Sequence, residues 1–170
     1  PQILAMLIMA VSGILMGYIV YERTTFSGWE LAALSILGLN PYFLGCVSFR
    51  FDAPYMAFSV LAAVVPLLYR NRNTAAYLLV SGLGILAVCT SYQAAAGIFP
   101  MLVVALALRM WNRGKSIREV GLFCLKSAAG YALGLIFFKL AIMIPADTNY
   151  VGNALPSAGK LIPHFLENLR

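Results

Sequence analysis

Polar side chains are sparse along this chain, and the densest group suited to chemistry lies between Asn40 and Met56. It reads Asn40-Pro41-Tyr42-Phe43, then Ser48-Phe49-Arg50-Phe51-Asp52-Ala53-Pro54-Tyr55-Met56. Arg50 carries a planar fork of N–H donors that matches phosphate oxygens. It therefore suits the phosphate of a lipid-linked donor, with Asp52 orienting either that guanidinium or a sugar hydroxyl. The same two residues, flanked by Phe49, Phe51 and Tyr55, equally fit an ordinary ion pair at a membrane surface, where aromatic rings anchor a chain. Charges at helix ends are common, so spacing alone leaves both readings open. Pro41 lacks an N–H and breaks a helix, and the carbonyls it frees inside a membrane must be satisfied by Asn40 or by a neighbouring helix.

A second polar pair, Tyr92-Gln93, sits in Thr90-Ser91-Tyr92-Gln93, the one polar cluster inside a long apolar stretch. Its amide suits sugar hydroxyls, the carbonyls opened at Pro41, or plain capping of a turn. Asp147, Asn149 and Tyr150 are further polar candidates near the C-terminal end, and His164 titrates near neutral pH but stands alone. Cys46, Cys89 and Cys124 are single cysteines in apolar surroundings, without the spacing of a disulfide framework or a zinc site. No Gly-rich nucleotide loop, paired-cysteine cluster or His-Glu-x-x-His pattern occurs.

The elements that must carry these residues follow from composition. Of 170 residues 62% are hydrophobic and 11% charged, less than half the roughly 25% charge of a soluble domain. The solvent for such a surface is lipid. A helix needs about 20 mostly apolar residues to cross a core of about 30 Å, and the runs of that kind predict an all-α, polytopic bundle of about six membrane helices. Their expected bounds are 3–21, 31–49, 53–69, 74–91, 94–110 and 120–144, with a polar loop at 145–170 and one membrane domain over residues 1–170. Helices 74–91 and 94–110 are expected to form a tight hairpin.

The net charge of +6 falls in short clusters between apolar runs, without aromatics interleaved on a polar face, so it marks membrane topology and not nucleic acid. Arg70, Arg72, Arg109, Arg113, Lys115 and Arg118 belong on the inner side by the positive-inside rule. Alternation then puts 21–30 inside and 49–52, 91–93 and 145–170 outside, with Lys139 free to snorkel outward. Gly13 with Gly17, and Gly130 with Gly134, have the i, i+4 spacing at which membrane helices approach closely.

The motifs Asn40-Pro41-Tyr42-Phe43, Ser48-Phe49-Arg50-Phe51-Asp52 and Ser91-Tyr92-Gln93-Ala94 resemble the bacterial glucosyl transferase GtrII family, whose members include the serotype-converting glucosyltransferases of O-antigen. The resemblance implies a membrane enzyme of the GT-C kind. Such an enzyme transfers glucose or a similar hexose from undecaprenyl phosphate to a cell-surface glycan on the periplasmic side of the bacterial inner membrane. It implies Arg50, Asp52, Tyr92, Gln93 and Asn40 as substrate-binding residues and direct displacement, with a carboxylate deprotonating the acceptor and cations stabilising the departing phosphate. Its partners would be the bilayer, the polyprenyl-phosphate sugar and the glycan acceptor; a divalent metal requirement is left open.

The chain opens at Pro1 directly in an apolar run. It is therefore expected to be a piece of a longer protein, inactive by itself, with the catalytic acidic loop upstream. The alternative function is a transporter or flippase in which Asn40-Pro41 exposes helix ends near the bilayer midplane, although no inverted repeat is present. A third is a membrane scaffold built on the glycine pairs.

Overall fold

In the computed structural model, residues 1–142 are described; the expected loop 145–170, with Asp147, Asn149, Tyr150 and His164, lies outside them. Every regular element among the described residues is helical, and each begins and stops for a legible reason. Helix α1 (Gln2–Tyr21) ends at Glu22, which adopts the left-handed conformation at φ 55° and closes the helix through its N–H on the Tyr18 carbonyl. Helix α2 (Gly28–Leu39) starts at a capping box, Ser27 with Glu30, which satisfies two of the amide groups that a helix start leaves open. Asn40 and Pro41 then stop it, and α3 (Pro41–Val47) continues at 50° to α2. The expected helix 31–49 is thus a broken pair, because proline at the first position of α3 has no N–H for the turn before it.

Helix α4 (Ala53–Val64) runs on as a tighter 3₁₀ turn, Val65–Tyr69, in which Pro66 sits at the start. Asn73 caps α5 (Thr74–Ser91), its Oδ1 accepting from the Ala76 N–H at 2.7 Å. Tyr92 is extended, a short 3₁₀ turn covers Gln93–Gly97, and α6 (Ile98–Asn112) follows. Gly114, at φ 78°, ends that helix in a conformation that only glycine adopts freely. A second capping box, Ser116 with Glu119, opens α7 (Ile117–Phe137), which passes into a π turn over Phe138–Ile142.

Four stretches, Gln2–Tyr21, Thr74–Ser91, Gln93–Asn112 and Ile117–Ile142, are long and apolar enough to cross a membrane. The bent pair α2–α3 has the length and apolarity of a fifth if its two halves form one broken span, and Ala53–Tyr69 is a shorter apolar helix. The protein is an all-α membrane bundle, as its composition predicts. Many large apolar side chains face outward along these helices, Leu79, Met101, Leu125 and Leu140 among them; in lipid that is the unstrained arrangement.

Small residues decide which helices touch. The most extensive contact joins α5 to α7, where a Cβ on Gly130 would lie 2.5 Å from the Ser81 Cβ and one on Gly134 would lie 2.7 Å from the Gly82 carbonyl oxygen. The expected close approach at Gly130 and Gly134 is present, and it depends on having no side chain there. Gly13 and Gly17 do the same for α1 against Leu34 of α2, and Gly84 admits Pro66 and the Ala62 carbonyl of the α4 segment. Across the first seam Tyr77 donates to the Ser127 Oγ at 2.7 Å, because the serine hydrogen is already committed to the Phe123 carbonyl.

One expectation fails. Helices α5 and α6 do not form a tight hairpin: α6 runs beside α7 and α4, while α5 packs on α7 and α4. The Gln93–Gly97 turn packs on α4 and carries the chain sideways, and the glycine seam leaves the adjacent face of α5 to α7.

Candidate active site

The two ends of the bundle are built differently. At one end the turn Ser48–Asp52 and the end of α5 border a shared cleft of about 760 Å³, lined by Phe51, Pro54, Tyr55, Phe58, Thr90 and Ser91 together with Leu4 and Ile8 of α1. The Gln2 amide fixes the rim by donating to the Val47 carbonyl at 3.0 Å, which ties α1 to the end of α3. The cleft wall is largely apolar. Its polar lining includes the hydroxyls of Thr90 and Ser91, whose hydrogens go to carbonyls of α5 and whose oxygens keep acceptor capacity.

Phe51 of one sequence motif and Ser91 of the other both line this cleft; Arg50 and Asp52 flank Phe51 in the turn, and Tyr92 and Gln93 follow Ser91 in the chain. All four side chains are exposed. Asp52 precedes α4 without capping it, and Arg50 and Asp52 form no salt bridge; the ion pairs among the described residues lie elsewhere. The expectation that Asp52 orients the guanidinium is therefore not met in this arrangement. Around them stand exposed Phe49, Phe51 and Tyr55, rings of the kind that settle at the headgroup level of a membrane.

Asn40 is placed differently. Met9 faces Gly38 and Gln2 reaches Val47, so Asn40 lies between these two levels of α1, below the rim. Its Nδ2 donates to the Leu37 carbonyl at 2.6 Å and its Oδ1 accepts from the Phe43 N–H at 2.9 Å. Both functions of the amide are spent on the helix break, which leaves it a structural cap. The neighbouring groove between α1, α2 and α3, about 350 Å³, offers no chemistry: its one polar lining residue, Ser35, donates to the Ala32 carbonyl.

At the other end the charges are engaged. Glu22 accepts from Arg70 at 2.8 Å and from Arg113, with Arg109 at 3.5 Å. Arg70 and Arg109 also donate to the Ile19 carbonyl, each at 3.4 Å, and Arg70 donates to that of Leu67. Cations at the C-terminus of α1 satisfy its last carbonyls and favour its dipole. The Arg113 hydrogen bond foremost, helped by the Arg70 hydrogen bond and the charges of Arg109 and Arg113, holds the Glu22 carboxyl below the usual carboxylate range against burial, which opposes it more strongly than any of those helpers singly. Arg23 pairs with Glu30, and Lys115 with Glu119.

A membrane bundle with an apolar cleft and an open polar rim fits many proteins; the sequence comparison narrows it. The family model for glucosyl transferase GtrII matches residues 1–168. The chain belongs to the GtrII glucosyl transferase family. No curated protein and no solved structure matches it.

For a member of this transferase family the cleft end, where the family-like motifs meet, is the candidate active site, and the ion-paired end is the support. Sequence reasoning treated Glu22 only as the charge that ends a helix and the three arginines only as topology markers. The signal was present: alternating spans place the loops after residues 21, 69 and 112 on one side, where the few acids stand among many more arginines and lysines. The Tyr77–Ser127 bond left no such signal, since nothing in the spacing of those residues pairs the two helices.

Proposed function

We propose that this GtrII protein transfers glucose, or a similar hexose, from a polyprenyl-phosphate carrier such as undecaprenyl phosphate to a cell-surface glycan such as O-antigen, on the outer face of the bacterial inner membrane. The observation that carries the reading is the cleft between the Phe51–Tyr55 wall and Thr90–Ser91, largely apolar, with the exposed side chains of Arg50, Asp52, Tyr92 and Gln93 adjacent in sequence to its lining and without an ion-pair partner among the described residues. A polyprenyl-phosphate sugar has the same division, an apolar tail and an anionic, hydroxyl-rich head. Arg50 binds the phosphate that departs when the acceptor oxygen attacks the anomeric carbon, and a positive charge there favours the transition state in which that phosphate gains charge. Asp52, Tyr92 and Gln93 hold sugar hydroxyls. The Arg-rich end, with Arg70, Arg72, Arg109, Arg113, Lys115 and Arg118, then faces the cytoplasm.

The test uses membranes containing the protein, supplied with polyprenyl-phosphate-linked radiolabelled glucose. Arg50→Ala removes a charged hydrogen bond of about 1.5–3 kcal/mol, which is roughly a tenfold to hundredfold loss of transfer. Asp52→Asn should lose less. Undiminished transfer in both variants, at equal protein level, would reduce them to interfacial anchors. The transport alternative drew on an open helix break, and Asn40 fills that break with its own amide.

A further inference from the structure

The cluster around Glu22 contains more positive charge than it neutralises. Three guanidinium groups share one carboxylate, and the next two carboxylates, Glu30 and Glu119, are paired with Arg23 and Lys115. Arg70 and Arg109 are largely covered, with side chains 12% and 20% exposed, whereas Arg113 is 54% exposed and spends a single N–H on Glu22. Among the described residues the cluster keeps an excess of two positive charges, packed where three chain segments meet. Like charges held that closely favour an anion, and guanidinium donors match a phosphate bidentately.

Depth says which anion. Each member of the cluster has an aromatic neighbour in sequence: Tyr21 precedes Glu22, Tyr69 precedes Arg70, and Trp111 stands between Arg109 and Arg113. All three rings are exposed, at the ends of apolar helices, which is the level of lipid headgroups. Arg72, Arg118 and Lys115 extend the positive field around them, and basic pockets between membrane helices at this level bind anionic headgroups.

We propose that the Arg70–Arg109–Arg113 cluster is a binding site for the phosphate headgroup of an anionic phospholipid, for which Glu22 is the resident competitor. The lipid phosphate takes the outward N–H groups of Arg113 and Arg109, and the carboxylate yields part of its share. Binding at this end would brace α1, the Val65–Tyr69 turn and α6 against one another, far from the cleft.

The purified protein in a neutral detergent, offered equal phosphatidylglycerol and phosphatidylcholine, is read by native mass spectrometry for retained lipid. Phosphatidylglycerol should be retained several-fold over phosphatidylcholine. Arg113→Gln and Arg109→Gln should each reduce that preference, while Arg23→Gln, the same charge change outside the cluster, should leave it intact. Glu22→Gln should raise retention, since it removes the competitor; Arg113→Gln, with its single contact, carries the test if Glu22→Gln does not fold. Equal retention of the two lipids, a loss in Arg23→Gln as large as in Arg113→Gln, or lower retention in a folded Glu22→Gln would each overturn the site. Complete displacement by excess inorganic phosphate would overturn the lipid assignment in favour of a soluble anion.

Discussion

The two ends of this bundle hold similar kinds of side chain and use them in opposite ways. At the Arg-rich end one carboxylate gathers three arginines from two other segments, and two of those arginines also bond the Ile19 carbonyl at the end of α1. At the cleft end Arg50 and Asp52 sit two residues apart, exposed and without an ion-pair partner among the described residues, beside a cavity of about 760 Å³. A paired charge holds helices together, while an unpaired one beside a cleft is available to a ligand. The difference predicts that substitutions at the first end act on stability and at the second on transfer.

The strongest way to break that division is to attack the seam on which both ends depend. Gly134→Leu forces a side chain into backbone 2.7 Å away, and overpacking of this kind costs about 1–3 kcal/mol or more; transfer and thermal stability in detergent should fall together. Arg50→Ala should next give the roughly tenfold to hundredfold drop in transfer with an unchanged melting temperature, and a lowered melting temperature would show that the cleft end is also structural. Arg70→Gln should do the reverse. It removes hydrogen bonds to Glu22, Ile19 and Leu67, at about 1.5–3 kcal/mol for a charged donor, and so lowers the melting temperature by several degrees while transfer per folded molecule holds.

The smallest effect expected is a pH dependence. Glu22 has a folded-state pKa below its ordinary value of 4.5, so its contribution is complete above that value and is lost as pH falls through the folded one. Melting temperature should therefore be insensitive to pH near neutrality, where Glu22 is fully ionised, and should drop in acid, and Glu22→Gln should remove part of the acid-side slope. Because the carboxylate is nearly half exposed, solvent screening keeps that part modest.

Much of the fold was legible in the chain. Apolar runs bounded by Glu22, by Arg70 to Asn73 and by Arg109 to Lys115 mark the helices because a bilayer demands length and apolarity from each span. Asn40-Pro41 announced the break, since the missing N–H is a local property of proline. The glycine pairs announced close contact but not its partners, and that is why the expected α5–α6 hairpin was wrong: which helix fills the space above Gly130 and Gly134 depends on surfaces far apart in the sequence. In the site, the convergence of the Arg50 and Gln93 motifs followed from alternation of the spans. That Asn40 would use up its own amide, and that Arg50 and Asp52 would stay apart, did not.

The sequence by itself determined that this is a helical membrane protein, where its chain breaks and which loops share a side, because hydropathy, proline and charge act over one or two helical turns. Only the tertiary structure decided that α7 takes the place beside α5, that Glu22 binds three arginines, and that Arg50 and Asp52 pair with neither each other nor another charge among the described residues. Those outcomes rest on distances between segments brought together by packing, where a difference of one methyl group at a glycine, or a few ångströms between an arginine and an acid, selects the partner.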